Sequence, residues 1–281
     1  MVRHPVSGPI DVLHLGRDRV ICAYEVDGVI VDPGPASCVE TLIDRLGPVE
    51  PRALLLTHIH LDHAGATGVL CRRYPELKVY VHEVGAPHLV DPSKLLQSAG
   101  RLYGDDMWEL WGEVAPVPEE RITTLTGGET VEGFRVAYTP GHASHHVSYL
   151  HEASGDAYVG DVAGVRIPPY DWVVAPTPPP EIHVETWMDS IHRITEWNPQ
   201  SLRLTHFGLV TSVMDHLHLL RTALVNQAER ARMKDEETFI ARMEEELLDA
   251  SDPATVEAFE QAAPPNQLYM GLERYWRKKA E

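Results

Sequence analysis

Residues 57–65 read Thr57-His58-Ile59-His60-Leu61-Asp62-His63-Ala64-Gly65, which puts three histidines and one aspartate within six positions. Imidazole nitrogens and a carboxylate suit zinc, iron or manganese, and each such ion takes three or more ligands of this kind. The run follows four apolar residues, Ala53-Leu54-Leu55-Leu56, bounded upstream by Pro51. Four apolar residues are too few for a helix, so they predict a buried strand that delivers ligand-type side chains to its own end. His58 and His60 are two apart and point to one side in extended chain. Asp62 and His63 fall where the chain is already turning, and so face a second point in space. Ordinary surface histidines do not cluster this densely behind a buried strand. The stretch predicts a metal site.

Three more ligand-type residues stand at strand ends further on. Gly141-His142 follows the strand-like Phe134-Arg135-Val136-Ala137-Tyr138, Gly160-Asp161 follows Ala157-Tyr158-Val159, and Thr205-His206-Phe207-Gly208 follows Leu202-Arg203-Leu204. Each lies beside glycine, which predicts close approach of backbone to a metal. His145 is a candidate hydrogen-bond partner for a ligand, and His146 opens the next strand. His82 and His88 are candidates for supporting positions, but isolated histidines are mostly not ligands. His183 and His192 read as helix residues.

The run His-x-His-x-Asp-His, with these three sites in order and the turn Val31-Asp32-Pro33-Gly34, resembles the metallo-β-lactamase superfamily over about residues 10–210. The resemblance implies an α/β fold, a four-layer αββα sandwich with two metals at one sheet edge. It further implies that His58, His60 and His142 hold one ion, that Asp62, His63 and His206 hold the other, and that Asp161 bridges. Zinc is the expected ion, with iron or manganese as alternatives. Two divalent ions about 3.5–4 Å apart lower the pKa of a shared water towards neutrality and polarise the bond to be cleaved. Asp62 would be the catalytic carboxylate that orients the bridging hydroxide. An acid at the bridging position is similar to glyoxalase II, lactonases and ribonuclease Z and unlike true β-lactamases. Here Asp161 is followed by Val162-Ala163-Gly164-Val165-Arg166 and not by the glyoxalase II run Cys-Gly-(Arg/Lys)-Phe-Phe, which argues against a glutathione thioester. The implied function is hydrolysis of a small ester, thioester or lactone with an apolar acyl group. The alternatives are a mononuclear-iron persulfide dioxygenase of the same fold and a phosphodiesterase.

Around these residues the chain must build a scaffold. Its 281 residues, 43% hydrophobic, suffice for one large domain or a domain with an appendage. A net charge of −18 disfavours nucleic acid as partner. Cys22, Cys38 and Cys71 are scattered and lack Cys-x-x-Cys spacing, which fits a reducing compartment. Residues 1–10 contain no apolar targeting core and no stretch reads as a membrane span, so the expectation is a cytoplasmic protein acting on a small molecule.

Short β-type runs are expected at 11–15, 20–26 and 29–31, with a hairpin at Asp27-Gly28. Helices are expected at 36–46 and 65–74, and strands at 79–81 and within 122–138. Residues 83–121 form an insertion carrying Tyr103, Trp108 and Trp111. The segment 164–180 carries Arg166, Tyr170 and Trp172 and ends in Pro176-Thr177-Pro178-Pro179-Pro180. Arg166, Tyr170, Trp172 and Trp108 are the candidate substrate-binding residues, with Arg166 as a carboxylate clamp. A helix is expected at 184–197. Residues 1–211 are read as the catalytic domain and 212–281 as a helical extension, broken near 234–237, packed on it or on a second subunit of a homodimer.

Overall fold

A computed structural model describes residues 8–281, so the reading of 1–7 lies outside the described residues. The first sheet runs in chain order: β1 (Ile10–Asp11), β2 (Cys22–Val26), β3 (Val29–Val31), β4 (Ala53–Leu55), β5 (Lys78–His82) and β6 (Ile122–Leu125). The second contains β7 (Thr130–Val131), β8 (Phe134–Tyr138), β9 (Val147–His151), β10 (Asp156–Tyr158), β11 (Ser201–Leu204) and β12 (Gly208–Val210), in the order β12-β11-β10-β9-β8-β7. Strands β3 to β6 pair in parallel, as do β10 and β11.

Alternation along the strands explains the layering. Cys22, Tyr24, Val29, Val31, Ala53 and Leu55 meet Phe134, Val136, Val147, Tyr149 and Tyr158 of the other sheet in one apolar cluster. Their neighbours Ala23, Ile30, Leu54, Ala157 and Leu202 are buried in a second cluster, against helices. Burial on both faces is why these strands read as near-continuous apolar runs. The result is the four-layer αββα sandwich.

The helices are α1 (Val39–Leu46), α2 (Leu61–Ala64), α3 (Thr67–Arg73), α4 (Ala86–Val90), α5 (Ser93–Tyr103), α6 (Met107–Trp111), α7 (Val184–Trp197), α8 (Val213–Met233), α9 (Glu236–Ala250), α10 (Pro253–Ala262) and α11 (Pro265–Ala280). Asp235 and Asp252 cap α9 and α10 by accepting from the Thr238 and Thr255 amides, at 2.9 and 3.1 Å. Two expectations are corrected. No strand spans 11–15: the Asp11 carboxylate accepts from the Leu13 and Arg19 amides and turns the chain, and Leu13 and Leu15 take φ of 53° and 54°. Helix also starts earlier than position 65, since α2 forms inside the histidine motif itself.

The tail packs on this chain's own body. Leu217, Leu220, Leu224, Phe239, Phe259, Leu268 and Leu272 lie in the same apolar cluster as Leu54, Val159 and Leu204, so the core runs without a break across position 212. No helix among the described residues is long and apolar enough to cross a membrane.

Candidate metal centre

The two sheets are stitched together where their ligand-bearing strands end. The Val147 amide donates to the Thr57 carbonyl at 2.7 Å, the Cys22 amide to the Thr205 carbonyl at 2.9 Å, and the Tyr149 hydroxyl to the Leu56 carbonyl at 2.8 Å. At that seam all seven predicted ligands converge. They fall into two sets, His58, His60, His142 and Asp161 in one, and Asp62, His63 and His206 in the other. Within each set the ligand atoms lie within 4.8 Å of one another.

Asp161 links the sets. Its Oδ2 is 3.2 Å from His142 Nε2 and 3.9 Å from His58 Nε2, whereas its Oδ1 is 3.2 Å from His63 Nε2 and 3.5 Å from His206 Nε2. His60 Nδ1 lies 2.9 Å from His58 Nε2 and 3.0 Å from His142 Nε2. Asp62 Oδ2 is 3.3 Å from His206 Nε2 and 3.7 Å from His63 Nε2. His63 Nε2, His206 Nε2 and Asp161 Oδ1 are buried without a hydrogen-bond partner. Orphaned polar atoms of this kind are costly unless something else occupies their lone pairs. Their donor chemistry fits divalent metal ions.

The outward nitrogens show that these rings are held in place. His63 Nδ1 donates to Asp32 Oδ2 at 2.8 Å, His206 Nδ1 to the Val20 carbonyl at 2.6 Å, and His142 Nδ1 to the Pro176 carbonyl at 2.8 Å. His58 Nδ1 sits 3.1 Å from Thr57 Oγ1. A carbonyl only accepts, so His206 and His142 must carry the proton on Nδ1 and leave Nε2 free to ligate. Asp32 is the hub of this outer layer: besides His63 it accepts from the Thr57 amide, the Thr57 hydroxyl and the Thr205 hydroxyl, at 2.8, 2.7 and 3.1 Å. Sequence reasoning noted the turn around Asp32 but assigned it no role, because only the folded chain brings position 32 under position 63.

Electrostatics divide the sets. Burial, reinforced by neighbouring histidines, pushes His58 well below the usual imidazole range and His60 down to about 4. Burial also opposes charge on His63, yet the carboxylates of Asp161, Asp62 and Asp32 outweigh it and hold this imidazole well above its ordinary value. His206 is raised in the same way, against burial, by Asp62 and Asp161. Although burial works against their charged forms, Asp62 and Asp161 are held far below the carboxylate range, His63 being the largest contributor for both. The first set is therefore ready to bind a cation, while the second must release protons to do so.

Two of the glycines beside the ligands, Gly141 and Gly160, are required by close packing between elements. A Cβ on Gly141, whose φ is +129°, would stand 2.4 Å from the backbone of Trp187 in α7. One on Gly160 would meet Thr57 Oγ1 at 2.5 Å and His146 Nε2 at 2.8 Å. His146 is fully buried and stacks on His58 at 5.0 Å between centroids; nothing local in the sequence separated it from His145. His145 accepts from the Ile59 amide at 3.4 Å. His82 stacks on Tyr138 at 4.4 Å.

The four candidate substrate residues each have contacts or exposure of their own. Trp108 is 73% exposed: the covered end of α6 is the Trp111 end, which abuts residues 36–37, and Trp108 stands a turn beyond it. Tyr170 donates its hydroxyl to Asp252 at 3.0 Å, and Trp172 packs edge-on against Phe259 at 5.2 Å, so both are turned towards α10. The Arg166 guanidinium pairs with Asp171 of its own loop, while its backbone brackets the His206–Phe207 link: its amide donates to the His206 carbonyl at 2.7 Å and its carbonyl accepts from the Phe207 amide at 3.1 Å. Tyr103 is the half-buried aromatic of the insertion. Burial raises its phenol above the usual range, with the charges of Asp62 and Asp161 adding to the effect. Its ring rests on Trp111 at 5.0 Å, and Trp111 stacks on the buried His14 at 5.3 Å. An apolar cavity behind the metal loop, between Ile59, Leu61, Leu89 and Leu95, has a volume of about 10 Å³, room for a single water at most.

Residues 21–196 match the metallo-beta-lactamase superfamily. The chain belongs to that superfamily. A metallo-beta-lactamase fold-containing protein of Sulfurisphaera tokodaii is 29% identical over 222 residues, 76% of this chain and 80% of that protein. A hydroxyacylglutathione hydrolase of a Synechococcus strain is 31% identical over 136 residues, 47% of this chain and 42% of its own length, so the likeness spans less than half of that relative. Among solved structures, an archaeal metallo-beta-lactamase superfamily protein from Sulfolobus tokodaii superposes with a TM-score of 0.67 and 24% identity, covering 98% of both chains. That likeness establishes the fold, tail included. As a member of the superfamily the chain is a metal-dependent hydrolase.

Proposed function

We propose that the protein is a dinuclear metal hydrolase acting on a small ester, thioester or lactone with an apolar acyl group. The observation that carries the dinuclear reading is Asp161, whose two oxygens face two different sets of histidines. His58, His60 and His142 would hold one ion, Asp62, His63 and His206 the other, with Asp161 between them. Zinc suits this donor set best, with iron or manganese as alternatives. Bound there, such ions would supply a water activated near neutral pH and a Lewis acid for the scissile carbonyl.

The chain's own residues do the rest. Asp62, 21% exposed where Asp161 is 5% exposed, is the carboxylate a substrate can reach, and its second oxygen would orient the attacking water. Asp161 has no such freedom, being engaged by histidines on both oxygens. Tyr103, kept protonated by burial and by the charges of Asp62 and Asp161, would be the hydrogen-bond donor for the oxygen that gains charge during attack. The Tyr103–Trp111 pair, 5.0 Å between centroids, is the aromatic pair on which the charges of Asp62 and Asp161 act, and it is the basis for an apolar acyl group. The partner is a small molecule, since the acidic balance disfavours a polyanion.

Metal analysis tests the centre. Close to two ions per chain are expected, and Asp161→Ala should lose part of that load and most activity; full activity with one ion would overturn the bridged reading. One iron per chain together with oxygen consumption would favour the persulfide dioxygenase alternative. A panel of thioesters, lactones, aryl esters and phosphodiesters, with an acyl-length series, tests the substrate class, and better turnover of the longer acyl groups is expected.

A further inference from the structure

The tail meets the ligand loops through polar contacts that packing alone does not require. The Pro176 carbonyl, which holds His142, lies between Ala175 and Thr177, both completely buried. Gln227 of α8 grips Ala175 twice: its Oε1 accepts from the Ala175 amide at 2.9 Å, and its Nε2 donates to the Ala175 carbonyl at 3.0 Å. On the other flank the Thr177 hydroxyl donates to the Leu268 carbonyl of α11 at 3.0 Å. There α11 approaches so closely that a Cβ on Gly271 would stand 2.0 Å from the Thr177 carbonyl oxygen.

The segment needs these holds. Among the described residues its one ladder contact is the bridge between Val165 and Val174, and the prolines at 176 and 178–180 have no amide hydrogen with which to extend it. Gln227 is 4% exposed on a helix face that, apart from His216, is made of Val213, Leu217, Leu220, Leu224, Ala228 and Ala231. A buried amide there is costly unless both its ends are paired, and an apolar side chain of the same length would pack without that cost.

We infer that the C-terminal helices position a metal ligand, with Gln227 as the positioning residue: by fixing residues 175–177 it sets the Pro176 carbonyl that orients the His142 imidazole with Nε2 inward. The inference rests on the proposed reading of His142 as a ligand and deepens it, extending the metal centre's outer layer into a part of the chain that carries no ligand. Gln227 stands 85 positions from His142 and acts through two peptide units.

The test uses the full-length, metal-loaded protein. Gln227→Met keeps length and removes the amide; Gly271→Ala disturbs the same segment from α11. Trp276→Phe is the control, since it removes a tail hydrogen bond, Nε1 to the Ala228 carbonyl at 2.7 Å, that does not touch 175–177. Folding is verified by circular dichroism, and ion release to a chelator is timed. Both variants should release one of the two ions about tenfold faster than wild type, the low end of what outer-layer partners are worth. The cobalt-substituted variants should show an altered visible spectrum, and Trp276→Phe should match wild type. Folded variants that release both ions at the wild-type rate would overturn the inference. Should Gln227→Met not fold, Thr177→Val decides in its place: faster release of one ion supports the inference, and wild-type release overturns it. Fewer than two ions in wild type would defeat the dinuclear reading itself, whereas two ions with silent variants would defeat only the role of Gln227.

Discussion

Replacing Asp32 by Asn isolates the contribution of the hub beneath the metal centre. The substitution keeps shape, and Asn tolerates the positive φ of 48° found there, so the backbone need not move. With its amide oxygen on the Thr57 N–H, the substituted side chain would present an NH₂ where Oδ2 of Asp32 now accepts from the Thr57 hydroxyl, the Thr205 hydroxyl and His63 Nδ1. The two hydroxyls can rotate and accept instead. The imidazole cannot, unless its proton moves to Nε2, the atom that faces Asp161 at 3.2 Å. Either the buried N–H of His63 loses its partner, which costs about 1.5–3 kcal/mol for a bond to a charged group, or the ring loses its ligating lone pair. Both routes predict that affinity at the Asp62–His63–His206 set falls about 10- to 100-fold, with a smaller effect on the His58–His60–His142 set. Competition titration against a chelator of known affinity reads the two steps separately, and a thermal melt confirms the fold. A folded Asp32→Asn protein that binds both ions within about twofold of wild type would refute the argument that Asp32 sets the His63 tautomer.

Tyr103→Phe should lower kcat about 10- to 100-fold with KM within a factor of a few, as expected for one hydrogen bond strengthened in the transition state; an unchanged kcat on the best substrate would remove Tyr103 from the site. Trp172→Ala should leave KM nearly unchanged but lower the melting temperature, because the ring packs on Phe259, and a raised KM with unaltered stability would restore it as a substrate contact. Burial pushes His216 down to about 4, against the hydrogen bond its Nε2 donates to the Ala163 carbonyl at 2.8 Å. Its folded pKa lies below the ordinary 6.5, so its stabilising contribution is complete above pH 6.5. Between about 6.5 and 4 the unfolded chain takes up a proton that the folded chain refuses, and stability is lost at up to about 1.4 kcal/mol per pH unit. His216→Gln keeps the donor and removes the titration, so its denaturation midpoint should fall less steeply over that window; parallel curves would refute this assignment.

The residues of the centre were legible in the sequence because metal chemistry restricts residue type and β-structure restricts spacing. A His-x-His pair at a strand end, an Asp-His pair one step later, and three further acids or histidines at strand ends are all local patterns, and the fold brings all seven together. The αββα layering was implied by the family resemblance, and the strands buried on both faces fit it by being apolar throughout. In the tail the break near 234–237 was legible, and Asp235 caps the helix that follows it. What the sequence could not determine was which distant groups complete the contacts. Asp32 under His63, Gln227 around Ala175 and His146 behind His58 are single polar residues without periodicity, and their partners lie 31, 52 and 88 positions away. The aromatics of 100–111 and 170–172 posed the same difficulty. Tyr103 packs on Trp111, Trp108 faces solvent, and Tyr170 and Trp172 face α10, because only the Trp111 end of α6 is covered and the tail claims the other loop. Side-chain type sets what an aromatic can bury; the path of the chain around it decides against what.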